Sequence, residues 1–240
     1  MIQLNQLTDM HLTKDKKIWV PDDDDWHQWG ADWEKIEIDE IINHHITKWD
    51  VALDIGAHVG IWSMRLAEKF KRVYAFEPVP KHIECWKQNM QKFINEHSEL
   101  ENISTLNTVA LGHENGTNTM IVPNTTNTGR ATFVEKLFID KHNFPKIQVE
   151  IKTLDSYEFD QVDFIKIDVE TYELKVLQGA VNTIRKHKPI MYIEMSDPEA
   201  YTFIENLDIG YKILYSNGVN RLFKSNTVLD ELQEILKNKN

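Results

Sequence analysis

The chain has 240 residues, of which 41% are hydrophobic, and its 38 acidic against 27 basic residues give a formal charge of −11. This length suits one large domain, or one domain with an appendage. The acidic balance disfavours nucleic acid as a partner, because nonspecific binding to nucleic acid depends on Lys and Arg. No apolar run exceeds four residues, far short of the about 18 that a membrane-spanning helix needs, so no membrane association is predicted.

Two features of the sequence bear on its compartment. The first residues show no apolar segment after basic ones, so no signal peptide is predicted. A single cysteine, Cys85, is compatible with a reducing environment. We therefore predict a cytoplasmic location.

Residues 1–50 differ in composition from the rest of the chain. They contain the acidic run 22–25 and five of the seven tryptophans, which are Trp19, Trp26, Trp29, Trp33 and Trp49. Apolar residues at three-to-four spacing predict a helix over 33–45. We predict that residues 1–50 form an N-terminal cap and that residues 51–240 form the main domain.

From Val51 onward, short β-branched or aromatic runs alternate with helical patterns. The runs VALDI, RVYAF, VDFIKID and PIMYIEM are typical of strands, and IWSMRLAEKF, HIECWKQNMQKFI, YELKVLQGAVNTIRKH and PEAYTFIENL of helices. This alternation predicts an α/β fold with a mostly parallel sheet and helices on both faces. Asn217-Gly218 between two apolar runs predicts a C-terminal antiparallel hairpin.

The middle of the chain breaks this alternation. The runs ISTLNTVAL, TNTMIV, RATFVE and IQVEI are typical of strands and have no helical pattern between them. They predict a β-arm inserted around residues 112–151.

A glycine-marked turn follows the first of these strands, in the segment Asp54-Ile55-Gly56-Ala57-His58-Val59-Gly60. Glycines here let the backbone turn sharply and approach a ligand. Glu77 ends the next strand, 23 residues after Asp54, where such folds bind ribose hydroxyls. A plain structural turn and a solvated acid at the strand end are the alternative interpretations.

The turn favours S-adenosylmethionine over NAD as its ligand. It lacks the third glycine of the pattern that cradles a pyrophosphate. S-adenosylmethionine has a ribose but no phosphates, so an acid within the turn is compatible with its positive groups. An NAD-dependent oxidoreductase is the weaker alternative.

Three carboxylates mark the ends of later strands: Asp168, Glu170 and Glu194. Alternation along VDFIKIDVE places Lys166, Asp168 and Glu170 on one side, and open α/β sheets bind ligands beyond the carboxyl ends of their strands. These carboxylates are therefore candidate catalytic residues, each able to act as a general base. Alternatively, they only favour a helix N-terminus or face solvent.

The segments LDIGAHVGIWS, FEP, TLDS, IKIDVETYELKVLQGA and YIEM together resemble the FkbM family of S-adenosylmethionine-dependent methyltransferases. The resemblance covers residues 51–195. It implies a class I, Rossmann-like methyltransferase domain over 51–240 that methylates oxygen on a small molecule or sugar. By motif, Asp54, Gly56, Ala57, His58 and Gly60 would line the methionine and ribose end, Glu77 the ribose, Ala110 and Leu111 the adenine, and Asp168 the methionine or the acceptor.

Two residues depart from the family pattern. His58 stands where asparagine is common, which makes the charge state of an imidazole relevant beside a cation. Thr171 stands where glycine is usual, and a β-branched residue disfavours positive φ. This turn therefore departs from the family pattern at the side where the acceptor is expected.

Other chemistries find little support in the sequence. There is no H-E-x-x-H, and ten histidines are scattered without ligand spacing, so no metal site is predicted. The alternative to an enzyme is a non-catalytic binding module on a methyltransferase fold. It is suggested by Thr171 and by the Trp-rich acidic segment, because tryptophan often anchors interfaces.

Overall fold

The computed structural model describes residues 9–27, 32–98, 104–124, 127–135, 144–195 and 197–225. Trp29 and the side chain of Trp33 lie outside the described part of the chain. Among the described residues, no helix combines the length and apolar character that crossing a membrane requires.

Twelve strands and six helices form the described fold. The strands are β1 (Met10–Leu12), β2 (Trp19–Pro21), β3 (Val51–Ile55), β4 (Arg72–Phe76), β5 (Ser104–Asn107), β6 (Ala110–Leu111), β7 (Gly116–Ile121), β8 (Lys146–Lys152), β9 (Phe164–Ile167), β10 (Ile190–Glu194), β11 (Tyr211–Asn217) and β12 (Asn220–Ser225). The helices are α1 (Asp32–His45), α2 (Ile61–Ala67), α3 (Pro80–Glu96), α4 (Glu173–Gln178), α5 (Val181–His187) and α6 (Pro198–Glu205).

The main sheet has seven strands in the order β11-β12-β10-β9-β3-β4-β5. Neighbours from β10 to β5 are parallel, whereas β12 is antiparallel to both β10 and β11. The predicted α/β fold, its mostly parallel sheet and its C-terminal hairpin are confirmed. Gly218 takes a positive φ of 55° in the turn of that hairpin.

Helices cover both faces of this sheet, as predicted. Within β3, Ala52 packs in one core with residues of α2 and α3, whereas Val51, Leu53 and Ile55 pack in a second core with residues of α4, α5 and α6. This division follows from the alternation of side chains along a strand. The carboxyl ends of the central strands therefore open between two helical layers.

The middle of the chain forms a separate three-stranded sheet in the order β6-β8-β7. This confirms the predicted β-arm, which begins at Ala110. Two details of the prediction were wrong. The run ISTLNTVAL is split, because β5 is the edge strand of the main sheet and pairs with β4. The run RATFVE forms no strand; a 3-10 turn at Thr128–Arg130 ends at its first residue, and Thr132 makes an isolated bridge to Ile121.

The helix predicted over YELKVLQGAVNTIRKH is interrupted, and α4 and α5 are separated at Gly179 and Ala180. A Cβ atom at Gly179 would lie 1.9 Å from the carbonyl oxygen of Gly112. The chain turns here so that its backbone packs directly against the start of the β-arm. This tertiary contact explains why helical periodicity alone gave one helix.

The N-terminal segment packs onto the main domain. Ile18, Val20, Ile38 and Ile41 are buried in the same core as Trp62 of α2. The side chain of Asn89 accepts a hydrogen bond from the backbone N–H of Trp19 at 2.6 Å and donates one to its carbonyl oxygen at 2.9 Å. The division of the chain at residue 50 stays a prediction.

Candidate active site

A cavity of about 290 Å³ opens at the carboxyl ends of β3, β4, β9 and β10. This is the edge at which open α/β sheets bind ligands. Its lining includes the glycine turn after β3, the strand ends, the β-arm, the starts of α2 and α3, and Trp26 with His27 of the N-terminal segment.

The glycine turn is fixed by close backbone contacts. Gly56 has a φ of 77°, and a Cβ atom there would lie 1.8 Å from the carbonyl oxygen of Asp168. The backbone N–H groups of Gly56 and Ala57 both donate to the carbonyl oxygen of Phe76 at 3.0 Å. The buried Nζ of Lys166 donates to the carbonyl oxygen of Gly56 at 2.8 Å. Only glycine fits this position.

Two of the residues predicted to bind the cofactor, Asp54 and Gly60, do not line the cavity. Asp54 is fully buried behind the turn, where it accepts a 2.6 Å hydrogen bond from Ser63 Oγ and lies 3.6 Å from Lys166 Nζ. Burial raises the pKa of Asp54, and the charge of Lys166 opposes that rise. At Gly60, a Cβ atom would lie 2.8 Å from the ring of Trp86.

Glu77 lines the cavity at the end of β4, only 5% exposed. Its Oε2 accepts a 2.9 Å hydrogen bond from the N–H of His58, and its Oε1 accepts one of the same length from the N–H of Val79. Burial raises the pKa of Glu77, although these backbone donors and the charge of His58 act against the rise. Its Oε2 keeps capacity for a further donor.

The apolar part of the wall comes from the β-arm. Ala110 and Leu111 of β6 line the cavity together with Val109 and Met120, and all four are buried. This surface suits a flat, weakly polar ring. It is the place where the sequence predicted contact with adenine.

The three predicted catalytic carboxylates meet at one edge of the cavity. Asp168, Glu170 and Glu194 all line it, and one oxygen from each lies within 4.8 Å of the others. Lys166 Nζ lies 3.6 Å from Asp168, on the side of the strand that alternation predicted. The prediction that these residues lie together therefore agrees with the structure; their catalytic role stays a prediction.

Burial and neighbouring charge raise the pKa values of Glu170 and Glu194. Burial, and next the charge of Asp168, raise the pKa of Glu170 to about 7. Burial, followed by the charges of Asp168 and Glu170, raises the pKa of Glu194 to about 9. Near neutral pH, Glu194 is therefore protonated, whereas Glu170 is close to half ionised.

The loop after β9 takes a left-handed backbone conformation, which a β-branched residue such as Thr171 disfavours. Glu170 and Thr171 have positive φ values of 51° and 72°. The N–H of Thr171 donates to Glu173 Oε1 at 3.1 Å, and the carbonyl oxygen of Glu170 accepts a 2.7 Å bond from Thr132 of the β-arm. Among the described residues, the buried Oγ1 of Thr171 has no hydrogen-bond partner.

Sequence reasoning missed a cluster of histidines beside the glycine turn. The ring centroid of His58 lies 4.8 Å from that of His27 and 4.3 Å from that of His82. His82 Nδ1 lies 3.2 Å from Glu77 Oε1. Burial, followed by the charges of His82 and His27, lowers the pKa of His58, and burial lowers that of His82 to about 3. The imidazoles of His58 and His82 are therefore neutral at physiological pH.

A buried carboxylate, Asp24, joins this cluster to two other parts of the chain. It accepts hydrogen bonds from the N–H of His27 at 2.8 Å and from Thr128 Oγ1 at 2.6 Å. Burial alone would raise the pKa of Asp24, but bonds from His27 and Thr128 and the charge of His27 hold it well below its usual range. Of these contacts, the sequence offered only the position of His27 just after the acidic run 22–25 as a signal.

A family model of the methyltransferase FkbM domain matches residues 54–219. The chain belongs to the FkbM methyltransferase family. This is a family of methyltransferases, and it implies the use of S-adenosylmethionine. This agrees with the resemblance found in the sequence. No match was found among curated proteins.

A solved FkbM structure shares the fold of this chain. A methyltransferase FkbM from Methylobacillus flagellatus KT is 18% identical with a TM-score of 0.55; the match covers 82% of this chain and 51% of that one. This chain thus spans about half the length of that protein. An rRNA methylase from Streptococcus thermophilus is 12% identical with a TM-score of 0.47, covering 79% of this chain and 94% of that one. A precorrin-6y C5,15-methyltransferase from Geobacter metallireducens GS-15 is 13% identical with a TM-score of 0.44, over 80% and 85%.

Proposed function

We propose that this FkbM methyltransferase transfers a methyl group from S-adenosylmethionine to a hydroxyl group of a small-molecule or carbohydrate acceptor. One observation carries the proposal. A single cavity joins a glycine turn and Glu77, which suit the donor, to a cluster of carboxylates that suits a hydroxyl acceptor.

The residues on the donor side fit S-adenosylmethionine. The missing Cβ of Gly56 lets the turn pack directly against the carbonyl oxygen of Asp168, and the backbone of this turn lines the cavity. Glu77 keeps acceptor capacity for ribose hydroxyls, and Ala110 and Leu111 offer an apolar surface to the adenine. Ala57 and His58 line the same wall toward the methionine end. When bound, S-adenosylmethionine supplies an electrophilic methyl group on a positively charged sulfur.

Asp54 and Gly60 support this wall from behind. The carboxylate of Asp54 and the carbonyl oxygen of Gly56 both face Lys166 Nζ, which in turn lies near Asp168. Lys166 thus connects the turn to the carboxylates. Asp54 is in this view a positioning residue for Lys166.

The carboxylates would bind and deprotonate the acceptor. Glu170, with a pKa of about 7, is ionised in a large fraction of molecules at neutral pH and accepts the hydroxyl proton. Protonated Glu194 can donate a hydrogen bond to the acceptor, and Asp168 can accept one from a second hydroxyl. Holding the reacting atoms about 3–3.5 Å apart can supply about 7–11 kcal/mol of the barrier reduction.

The first experiment measures binding of the methyl donor. Purified protein is titrated calorimetrically with S-adenosylmethionine and S-adenosylhomocysteine, and with NAD as the control ligand. We expect binding of both sulfur ligands and none of NAD. Failure of the folded protein to bind either sulfur ligand would remove the proposal.

The second experiment measures methyl transfer to a panel of small hydroxylated compounds and sugars. The Asp168→Asn variant is compared with Asp160→Asn, which alters an exposed aspartate away from the cavity. We expect turnover to fall strongly in the first variant and to persist in the second. Donor binding without turnover of any hydroxylated acceptor, together with specific capture of a macromolecular partner, would favour the binding-module alternative.

A further inference from the structure

Asp24, His27 and His58 come from two separate parts of the chain and meet at the cavity wall. One possible ligand atom from each lies within 4.8 Å of the other two. The set is almost fully enclosed, because the side chains of Asp24, His27 and His58 are 0%, 8% and 17% exposed. We propose that these three residues form a binding site for a divalent transition-metal ion such as Zn²⁺.

The donor atoms are of the right kind for such an ion. Two imidazole nitrogens and one carboxylate oxygen are common ligands of Zn²⁺ and of other divalent transition metals. Mg²⁺ and Ca²⁺ prefer oxygen ligands, so the set should discriminate against them.

The distances between these donor atoms also suit a shared ion. His27 Nδ1 lies 3.0 Å from both carboxylate oxygens of Asp24, close to the about 3.3 Å that separates two ligands in a tetrahedral zinc site. His58 Nε2 lies 4.0 Å from Asp24 Oδ2, which is too long for a hydrogen bond. A tetrahedral ion needs about 3.3 Å between these two atoms, so the His58 ring must move toward Asp24 when the ion binds. Small rotations of the side chains complete the set.

Surrounding groups hold the ligands in place. Thr128 donates to Asp24 Oδ2 through its backbone N–H at 3.2 Å and its hydroxyl at 2.6 Å, which fixes the carboxylate. Such hydrogen bonds to a ligand are a usual feature of metal sites. Gly129 covers the two rings, since a Cβ atom there would lie 3.6 Å from His27 Cε1 and 3.7 Å from His58 Cε1.

An unsatisfied group in the same cluster is a further observation. His82 is 1% exposed and packs edge-on against His58, with its Nδ1 on Glu77. Among the described residues, its Nε2 has no hydrogen-bond partner. A third buried imidazole nitrogen is thus available beside the three ligands, where it could bond a water molecule on the ion.

The position of the site gives it two consequences. His27 and His58 both line the cavity. A coordination position that the protein leaves open would therefore face the methyl donor or the acceptor. The ion would also join the N-terminal segment to the glycine turn. Binding is therefore expected to stabilise the fold, because a ligand held only by the native state raises Tm.

The test uses the full chain without an affinity tag and the metals Zn²⁺ and Co²⁺ alone. We expect one ion per chain by calorimetry, visible absorption bands of bound Co²⁺, and a rise in Tm with Zn²⁺ but not with Mg²⁺. His27→Asn and His58→Asn should each weaken binding by at least about tenfold. His44→Asn, which alters an exposed histidine of α1, is the matched control and should bind as the native chain does.

Three outcomes would overturn the site. The first is that the folded native chain binds neither Zn²⁺ nor Co²⁺. The second is that both folded His→Asn variants bind the ion as tightly as the native chain. The third is that Glu194→Gln loses the ion while both His→Asn variants still bind it. The last result would place the ion on the carboxylate cluster. If His58→Asn does not fold, His27→Asn and the Co²⁺ spectrum of the native chain decide. The measurements need no methyl donor, so their failure is separate from failure of the proposed methyl transfer.

Discussion

Thr171 holds a backbone conformation that its own side chain disfavours. Its φ is 72° in a turn where a glycine would be unstrained. Its buried hydroxyl has no partner among the described residues. Positive φ costs a residue with a Cβ atom about 1–2 kcal/mol. Glycine removes this cost, but its greater freedom in the unfolded chain offsets part of the gain in stability.

We therefore expect Thr171→Gly to raise the free energy of unfolding by about 0.5–1 kcal/mol. Thr171→Ala is the matched control, because it removes the hydroxyl but keeps the Cβ atom. Urea titrations of the two variants separate the backbone contribution from the hydroxyl contribution. A Thr171→Gly variant less stable than Thr171→Ala would contradict the strain interpretation.

Glu170 gives the proposed reaction a characteristic dependence on pH. Burial and the charge of Asp168 raise its pKa to about 7, so the base form increases as pH rises through neutrality. The rate of methyl transfer should therefore rise with pH up to about 8 and fall again as Glu194 loses its proton near pH 9. Because the carboxylates are coupled, the measured midpoint belongs to the cluster.

Replacing this residue tests its role. Glu170→Gln should lower kcat by about 10²–10⁴-fold and remove the rise with pH. Glu150→Gln, at an exposed position of β8, serves as the control and should keep both. A pH profile that survives in Glu170→Gln would assign the base to another residue.

At the scale of single residues, the sequence could predict the meeting of those groups that one structural rule brings together. Asp168 and Glu194 follow strands, and the carboxyl ends of parallel strands share an edge, so their meeting could be predicted. The cluster of Asp24, His27, His58 and His82 could not. Its members come from a loop, a turn and a helix whose contacts depend on tertiary packing.

At the scale of elements, α4 and α5 illustrate how a contact between distant segments overrides a periodic pattern. The break between them brings the backbone at Gly179 against Gly112 at the start of the β-arm. Local signals found the strands of the main sheet and the Asn-Gly hairpin, because these depend on neighbours in sequence. They could not find this break, nor the assignment of β5 to the main sheet.

Gly179→Ala is expected to be strongly destabilising. Its Cβ atom would lie 1.9 Å from a carbonyl oxygen, so the helices and the arm must separate, at a cost of about 1–3 kcal/mol or more. Gly116→Ala is a suitable control, since nothing lies within 4 Å of the added methyl group. Thermal unfolding of both variants provides the comparison. Equal Tm values would show that the arm adjusts without cost.

For the whole molecule, the carboxylate cluster makes stability depend on pH in a direction opposite to that of ordinary salt-bridged acids. The pKa of Glu194 is about 9 in the folded chain and about 4.3 in an unfolded one. The folded state therefore binds more protons between these values. Stability from this group is fully present below about pH 4.3 and is lost as pH rises through 9.

Glu194→Gln removes this ionisation while keeping a polar side chain of similar size. We expect the variant to be more stable than the native chain above neutral pH, by about 2–4 °C in Tm at pH 8.5, and to show less change in Tm between pH 6 and 9. Melting curves across this range, with Glu150→Gln as control, provide the check. If Tm fell equally with pH in the native chain and in Glu194→Gln, the pH dependence would belong to another group.

The raised pKa of Glu194 should also couple binding of the proposed donor to the release of a proton. A positively charged donor beside this carboxyl group lowers its pKa, so binding near neutral pH should release part of a proton. The binding enthalpy of S-adenosylmethionine should then differ between phosphate and Tris buffers, whose ionisation enthalpies differ. S-adenosylhomocysteine, which lacks the sulfonium charge, and the Glu194→Gln variant should show less of this difference. Each turnover would thus let Glu194 take up a proton again once methyl transfer has removed the sulfonium charge.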